Sequence, residues 1–315
     1  MKPKNHARLL VLATAVAMLW AVSATSRAQN LYVSDPYSAT VREYNATTGA
    51  AIAGFTSPSG LAYVEGLAIS GNNLYVADGG NNTVGEYDAT TGAPIAASLI
   101  TGLNNPVGLA LSGNNLYVVS NNGVGEYNAT TGAAIPGFTN PSGLSAPDGL
   151  ALSGSNLYVA NAGNNTVGEY HATTGAPIAA SLITGLNNPA GLALSGSDLY
   201  VANYGNNTVG EYNATMGAAI PGFTSPSGLS APDALALSGN NLYIANWAGG
   251  GNGSVGDYDA TTGAAIPGFT DPSEFGGATG VAVSAAPELG TWASGIATLG
   301  CLLLLGRRSR TRESS

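Results

Sequence analysis

Apolar positions in this chain come in short runs of four to six residues, each bounded by Gly, Asn, Asp or Ser. One such run, Leu-Tyr-Val or Leu-Tyr-Ile, starts at Leu31, Leu74, Leu116, Leu157, Leu199 and Leu242, at intervals of 43, 42, 41, 42 and 43 residues. Within a period, no stretch of ten or more residues places its apolar side chains at helical spacing between caps. Runs of this kind read as strands joined by turns. A fixed period of this length belongs to a helical solenoid or to a β-propeller, and the strand content selects the propeller.

Each period predicts four strands. The first is Gly-Leu-Ala-Leu, as at residues 149–152, and Ser-Gly-Ser-Asn or Ser-Gly-Asn-Asn turns the chain into the second, Leu-Tyr-Val-Ala. Gly and Asn suit such a turn because they tolerate positive φ. An Asn/Gly loop leads to the third strand, Thr-Val-Gly-Glu-Tyr, and Asx-Ala-Thr-Thr-Gly leads to the fourth, Ala-Ile-Pro-Gly-Phe or Pro-Ile-Ala-Ala-Ser-Leu. In the first strand Leu150 and Leu152 share one face, and Gly149 and Ala151 share the other. The small face lets a neighbouring backbone approach. Twelve of the fifteen Tyr fall in the second and third strands, six in each, and read as core.

The ends of the repeat array are complementary. The first copy opens at Leu31 with no first strand before it, and the last is followed by an unmatched first strand at residues 280–284. That pattern predicts an all-β, six-bladed β-propeller of four-stranded blades at residues 29–285, in which the C-terminal strand completes the N-terminal blade. Such closure removes the free sheet edges that invite aggregation. A longer repeat lies over the first: residues 92–118 recur at 175–201 with three changes, Val107 to Ala190, Asn114 to Ser197 and Asn115 to Asp198. Duplication of a two-blade unit accounts for it, so a repeated residue need not be functional.

Charge narrows the partners. Of the nine basic residues only Arg42 lies in the repeats, against sixteen of the eighteen acids, a balance near −15 for that region. Nucleic acid is excluded as a partner, since its affinity comes from Lys and Arg on phosphate. The acids read as scattered solubilising groups. The single Cys, Cys301, lies outside the repeats, so no disulfide is expected there.

The flanks read as targeting segments. Residues 1–28 carry Lys2, Lys4 and Arg8, an apolar run from Leu9 to Val22, and Ser26-Arg27-Ala28, the arrangement of a secretory signal peptide cleaved after Ala28. Residues 286–315 place a short polar motif, a 17-residue apolar stretch from Gly290 to Gly306, and a basic tail in that order. As a helix the stretch would be about 25 Å long, enough to enter a bilayer as a short transmembrane segment. Trp292 suits the outer interface and Arg307 and Arg308 the cytoplasmic side.

Two resemblances follow from these residues. The stretch PAGLALSGSDLYVANYGNNTVGEYNATMG at 189–217 resembles NHL-type and YVTN-type β-propellers. The C-terminal segment resembles the PEP-CTERM sorting signal of bacterial exported proteins, carried by Pro287, Glu288, Gly290, Thr291 and Trp292, with Leu289 where that family usually has a second Pro. The second resemblance implies processing by an exosortase-like enzyme and a protein held outside the inner membrane until its anchor is cut.

Candidate chemistry is sparse. His6 lies in the signal segment, and His171 replaces Asp88, Asn128 and Asn213 in an outer turn. One constellation stands out. Glu65, Asp148 and Asp233 precede the first strands of alternate repeats, a third of a turn apart in a closed ring, while Asp35, Asp78, Ser120, Asn161, Asn203 and Asn246 end the second strands. Antiparallel order puts both sets on one face, around the channel mouth. Oxygen ligands without His or Cys suit a hard cation such as calcium, and gluconolactonase-like propellers, by resemblance, hold a metal with Glu, Asn and Asp there. The competing expectation is that these Asp and Asn side chains cap backbone groups in turns. The pattern as a whole predicts an exported, non-enzymatic binding or structural protein without a resident cofactor, whose ligand, a protein or a glycan, engages the channel-mouth face. The alternative is a metal-dependent hydrolase using Glu65, Asp148, Asp233 and Asn161.

Overall fold

A computed structural model describes residues 29–249, 251–273 and 275–284. The strands are β1 (Asn30–Asp35), β2 (Thr40–Asn45), β3 (Val64–Ser70), β4 (Asn73–Asp78), β5 (Thr83–Asp88), β6 (Pro94–Ile100), β7 (Gly108–Ser112), β8 (Asn115–Ser120), β9 (Gly123–Asn128), β10 (Pro147–Ser153), β11 (Asn156–Asn161), β12 (Thr166–His171), β13 (Pro177–Ile183), β14 (Pro189–Ser195), β15 (Asp198–Asn203), β16 (Thr208–Asn213), β17 (Pro232–Ser238), β18 (Asn241–Asn246), β19 (Ser254–Asp259) and β20 (Gly280–Val283). The only helical element among the described residues is a 3-10 turn at Tyr204–Asn206.

These strands form antiparallel sheets ordered β2-β1-β20, β3-β4-β5-β6, β7-β8-β9, β10-β11-β12-β13, β14-β15-β16 and β17-β18-β19. β20 pairs with β1 in the register Leu31 to Val283, Tyr32 to Ala282 and Val33 to Val281. The first strands touch in sequence, β3 on β7, β7 on β10, β10 on β14, β14 on β17, β17 on β20 and β20 on β3. This is the architecture of a β-propeller.

The second strands are buried on both faces, so Leu, Tyr and Val run consecutively there instead of alternating with polar residues. The cores lie between neighbouring sheets. One joins Tyr32 and Val41 to Leu67, Leu74 and Tyr87; another joins Tyr243 and Val255 to Leu31, Val33 and Val281. A Cβ added to Gly149 would collide with the backbone carbonyl of Ala190 on the next sheet, and one added to Gly280 with that of Glu65. The small face of the first strand is therefore where successive sheets touch backbone to backbone.

The fourth strand departs from expectation. Pro-Ile-Ala-Ala-Ser-Leu forms the strands β6 and β13, but Ala-Ile-Pro-Gly-Phe makes one bridge, Tyr127 to Ala134 for example, and then leaves the sheet. Two sheets have four strands and the others three. The exit coincides with Gly54, Gly137, Gly222 and Gly268, at φ 112°, 97°, 112° and 89°. Pro136, Pro221 and Pro267 add the loss of a ladder N–H, but residue 53 is Ala, so the glycine turn is the common cause. The released Phe55, Phe138, Phe223 and Phe269 fold back onto Tyr32, Tyr117, Tyr200 and Tyr243, with ring centroids 5.7–6.1 Å apart.

The third-strand acids are also corrected. Glu43, Glu86, Glu126, Glu169, Glu211 and Asp257 are buried, not scattered over the surface. Register places Glu43 opposite Tyr32, and its Oε1 accepts hydrogen bonds from the Tyr32 hydroxyl at 3.0 Å and the Asn30 amide at 2.5 Å. Asn73, Asn115 and Asn156 supply the same amide to Glu86, Glu126 and Glu169, each at 2.7 Å. Asp198 replaces the amide next to Glu211, and that like charge joins burial in raising the Glu211 pKa. Some phenols also reach the next sheet: Tyr32 donates to the carbonyl of Ala89 at 2.8 Å, and Tyr243 to that of Ala46 at 2.9 Å.

Candidate functional site

Glu65, Asp148 and Asp233 sit at β-bulges. The register of β3 on β4 shifts between Val64 and Leu67, that of β10 on β11 between Pro147 and Leu150, and that of β17 on β18 between Pro232 and Ala234. A bulge re-aims the side chain it carries. Asp148 and Asp233 line a narrow axial shaft of about 70 Å³, together with Val107 and Thr279. Beyond it the same strands line an open recess of about 340 Å³ with Leu67, Leu109, Leu150, Leu192 and Leu235.

All three acids are half-buried. Burial pushes Glu65 up to about 8, helped by the negative charge of Asp148. Burial likewise raises Asp148 to about 6. Asp233 is raised well above the ordinary carboxylate range by burial and then by the charges of Asp148 and Glu65. Hydrogen bonding lowers none of the three, in contrast to Asp88, which the Thr91 hydroxyl and nearby backbone N–H groups hold below its usual value.

The second-strand ends do something else. Asp78 accepts the backbone N–H of Ala62 and of Asn81, each at 3.1 Å. Oδ1 of Asn161, Asn203 and Asn246 accepts the N–H of Ser145, Asn187 and Ser230 at 3.1, 3.1 and 3.2 Å. Their oxygens hold the loops that enter the first strands. Among the described residues no group of three His, Cys, Asp or Glu side chains converges closely enough to hold a metal ion. Replacing the buried Asn161 with Ala will cost about 1–2 kcal/mol by leaving the Ser145 N–H unpaired. Urea unfolding checks the cost, and ligand affinity at the mouth will stay unchanged.

The side chains missed in the sequence are aromatic. Tyr37, Tyr63 and Tyr204 are the three Tyr outside the second and third strands, and Trp247 is the one Trp among the described residues. Tyr37 stacks on Trp247 at 6.1 Å between centroids, and Tyr204 meets Trp247 at 6.0 Å. Tyr37 and Tyr63 are 58% and 47% exposed, unlike the repeat tyrosines, which are buried or half-buried. Tyr204 feels the charges of Asp233 and Asp148, and Tyr63 those of Glu65 and Asp233, so these two rings lie near the acids. Tyr63 adopts φ 58°, where other copies place Asn105, Ala146, Asn188 and Ala231. Tyrosine in that left-handed region is strained. Beside the mouth, the short loop between β8 and β9 leaves a groove of about 490 Å³ lined by Asn121, Asn122, Asn140, Ala146 and Asp148.

His171 ends β12 and is exposed. No helix of the described residues is long and apolar enough to cross a membrane. The signal segment at 1–28, the motif residues Pro287, Glu288, Gly290, Thr291 and Trp292, and Arg307 and Arg308 lie outside the described residues.

No protein-family model matches the chain, and no curated protein matches it. Among solved structures, it is similar to a chain of a nidogen/laminin complex, with 20% identity and a TM-score of 0.63 over 81% of this chain and 97% of that one. It is also similar to a protein of unknown function from Bacteroides caccae, with 15% identity and a TM-score of 0.59 over 82% and 99% of the two chains. At these identities the likeness is one of fold, and it agrees with a β-propeller.

Proposed function

We propose that residues 29–285 form a six-bladed propeller of the NHL or YVTN kind, closed by β20, and that it is an exported, non-enzymatic binding module of the cell envelope or extracellular matrix. The signal-like residues 1–28 and the PEP-CTERM-like residues 286–315 support export, with tethering by the C-terminal segment until an exosortase-like enzyme acts. The pairing of β20 with β1 supports closure.

The observation that carries the binding role is the mouth. Tyr37, Tyr63, Tyr204 and Trp247 interrupt an otherwise copied sequence, and they gather where Glu65, Asp148 and Asp233 also face. Exposed and half-buried aromatic rings near a few polar groups are the ordinary composition of a ligand site. Protein and glycan arrays probed with full-length protein will give ligands whose binding falls at least ten-fold in Trp247→Ala. Absence of any ligand would leave a spacer. Lactone hydrolysis abolished by Asp148→Ala would replace the binding module with a hydrolase.

A further inference from the structure

We propose that the mouth takes a small organic cation carrying a methylated ammonium group, seated on the Tyr37–Trp247–Tyr204 wall and facing Glu65, Asp148 and Asp233. The inference rests on the binding-module reading of the same face and names the chemistry of its ligand.

The wall is specific to three places in the ring. Tyr204 and Trp247 directly follow the second strands β15 and β18, where other copies have Gly79, Asn121 and Ala162; Tyr37 stands one residue further along its loop. The Gly276–Gly277 pair packs beneath Tyr37 and Trp247, where a Cβ on Gly277 would stand 2.6 Å from the Trp247 ring and 3.1 Å from that of Tyr37. The wall is thus built into the loop that leads to β20. Aromatic rings of this kind carry a negative π-face, to which a diffuse cation is attracted.

Charge selects the occupant. Arg42 is the one Lys or Arg among the described residues, and its guanidinium lies 5.4 Å from the centre of the Phe275 ring, on the third strand of its sheet rather than at the shaft. The three mouth acids therefore have no cation from the protein beside them; burial raises all three pKa values, and the charges of neighbouring acids raise those of Glu65 and Asp233 further. A neutral sugar on the same rings would leave that repulsion in place, and among the described residues no three His, Cys, Asp or Glu side chains converge to hold an inorganic cation. A methylated ammonium group satisfies both surfaces. It is weakly hydrated, so it leaves water cheaply for the aromatic wall, and its charge offsets the carboxylates.

The test is calorimetric titration of full-length protein with choline and with 3,3-dimethylbutan-1-ol, which has the same shape without the charge. Choline will bind about ten-fold or more tightly than the alcohol. Asp148→Asn/Asp233→Asn and Trp247→Ala will each lower choline affinity about ten-fold, while Trp247→Phe retains most of it; circular dichroism checks that each variant is folded. Affinity will fall as pH drops from 8 to 5, because protons then compete for Glu65, Asp148 and Asp233. Equal binding of the two probes, or binding insensitive to Trp247→Ala, overturns the cation and leaves the binding module standing. Binding of neither probe also overturns the cation. Only if the arrays are silent as well does the binding module fall with it.

Discussion

Gly149→Ala will destabilise the protein by about 2–3 kcal/mol, a cost typical of forcing a methyl into a filled contact. The new methyl would strike the carbonyl oxygen of Ala190 and lie 3.1 Å from both Cα of Gly191 and the nitrogen of Leu192, all backbone atoms of the next sheet. None of these can rotate away as a side chain would. Relief requires two packed sheets to separate. For a domain of this size the midpoint of thermal unfolding will drop by about 5–10 °C. Ala234 supplies the control, because it already occupies the place that Gly149 holds in its own repeat. Ala234→Gly will change stability by less than about 1 kcal/mol. Thermal and urea unfolding of both variants measure this. A Gly149→Ala protein as stable as the parent would mean that neighbouring sheets slide apart freely, and the backbone-to-backbone contact would lose its importance.

The same glycine shows how much of the fold was legible. The Leu-Tyr-Val period, the small face of the first strand and the unmatched strand at residues 280–284 all follow from spacing and side-chain size, and the pairing of Val281 with Val33 matches that reading. The fourth strand was misread because Ala-Ile-Pro-Gly-Phe has strand-like composition, whereas its Gly takes a positive φ that only tertiary context reveals. The third-strand acids were misread for a related reason. Charge suggests a surface, but Glu86 lies opposite Tyr75 and receives the Asn73 amide. The signal was present as period-two spacing: Asn73 and Tyr75 share a face, and the partner strand offers one acid to it.

For the site, the alternation of Glu65, Asp148 and Asp233 could be read along the chain, and so could the idea that Asn161 and its equivalents cap loops. The aromatic wall could not. Tyr37, Tyr204 and Trp247 are far apart in sequence and become neighbours only when the sheets are arranged around an axis. One clue did exist in the residue count. In a sequence made by copying, Tyr37, Tyr63 and Tyr204 are the three Tyr that do not fit the repeat.

Stability will fall as pH rises from about 4 to 8, contrary to proteins whose acids are held by salt bridges. Glu65 at about 8, Asp148 and Asp257 at about 6, and Asp233, Glu43 and Glu211, all raised first by burial, keep protons in the folded state that the unfolded chain has released. Where the folded state binds more protons, unfolding becomes easier with each step up in pH. The loss begins near the ordinary carboxylate values and ends near the Glu65 value. These mouth acids are only half-buried, so solvent screens part of it, and the decline will amount to about 2–3 kcal/mol. Glu65→Gln will flatten the upper part of this curve and stabilise the protein at pH 8 by about 1–2 kcal/mol. Asp88→Asn removes the same unit of charge at an exposed turn, where Thr90 and Thr91 donate to the carboxylate, and will instead lower stability. Urea unfolding at pH 5 and pH 8 separates the two. If Glu65→Gln destabilised the protein at pH 8, a donor or cation would have to be holding that carboxylate, and the mouth would not be an unneutralised site. If it stabilises, the folded protein carries repulsion at its mouth that an arriving positive charge relieves, so the energy lost to the fold becomes energy available to binding.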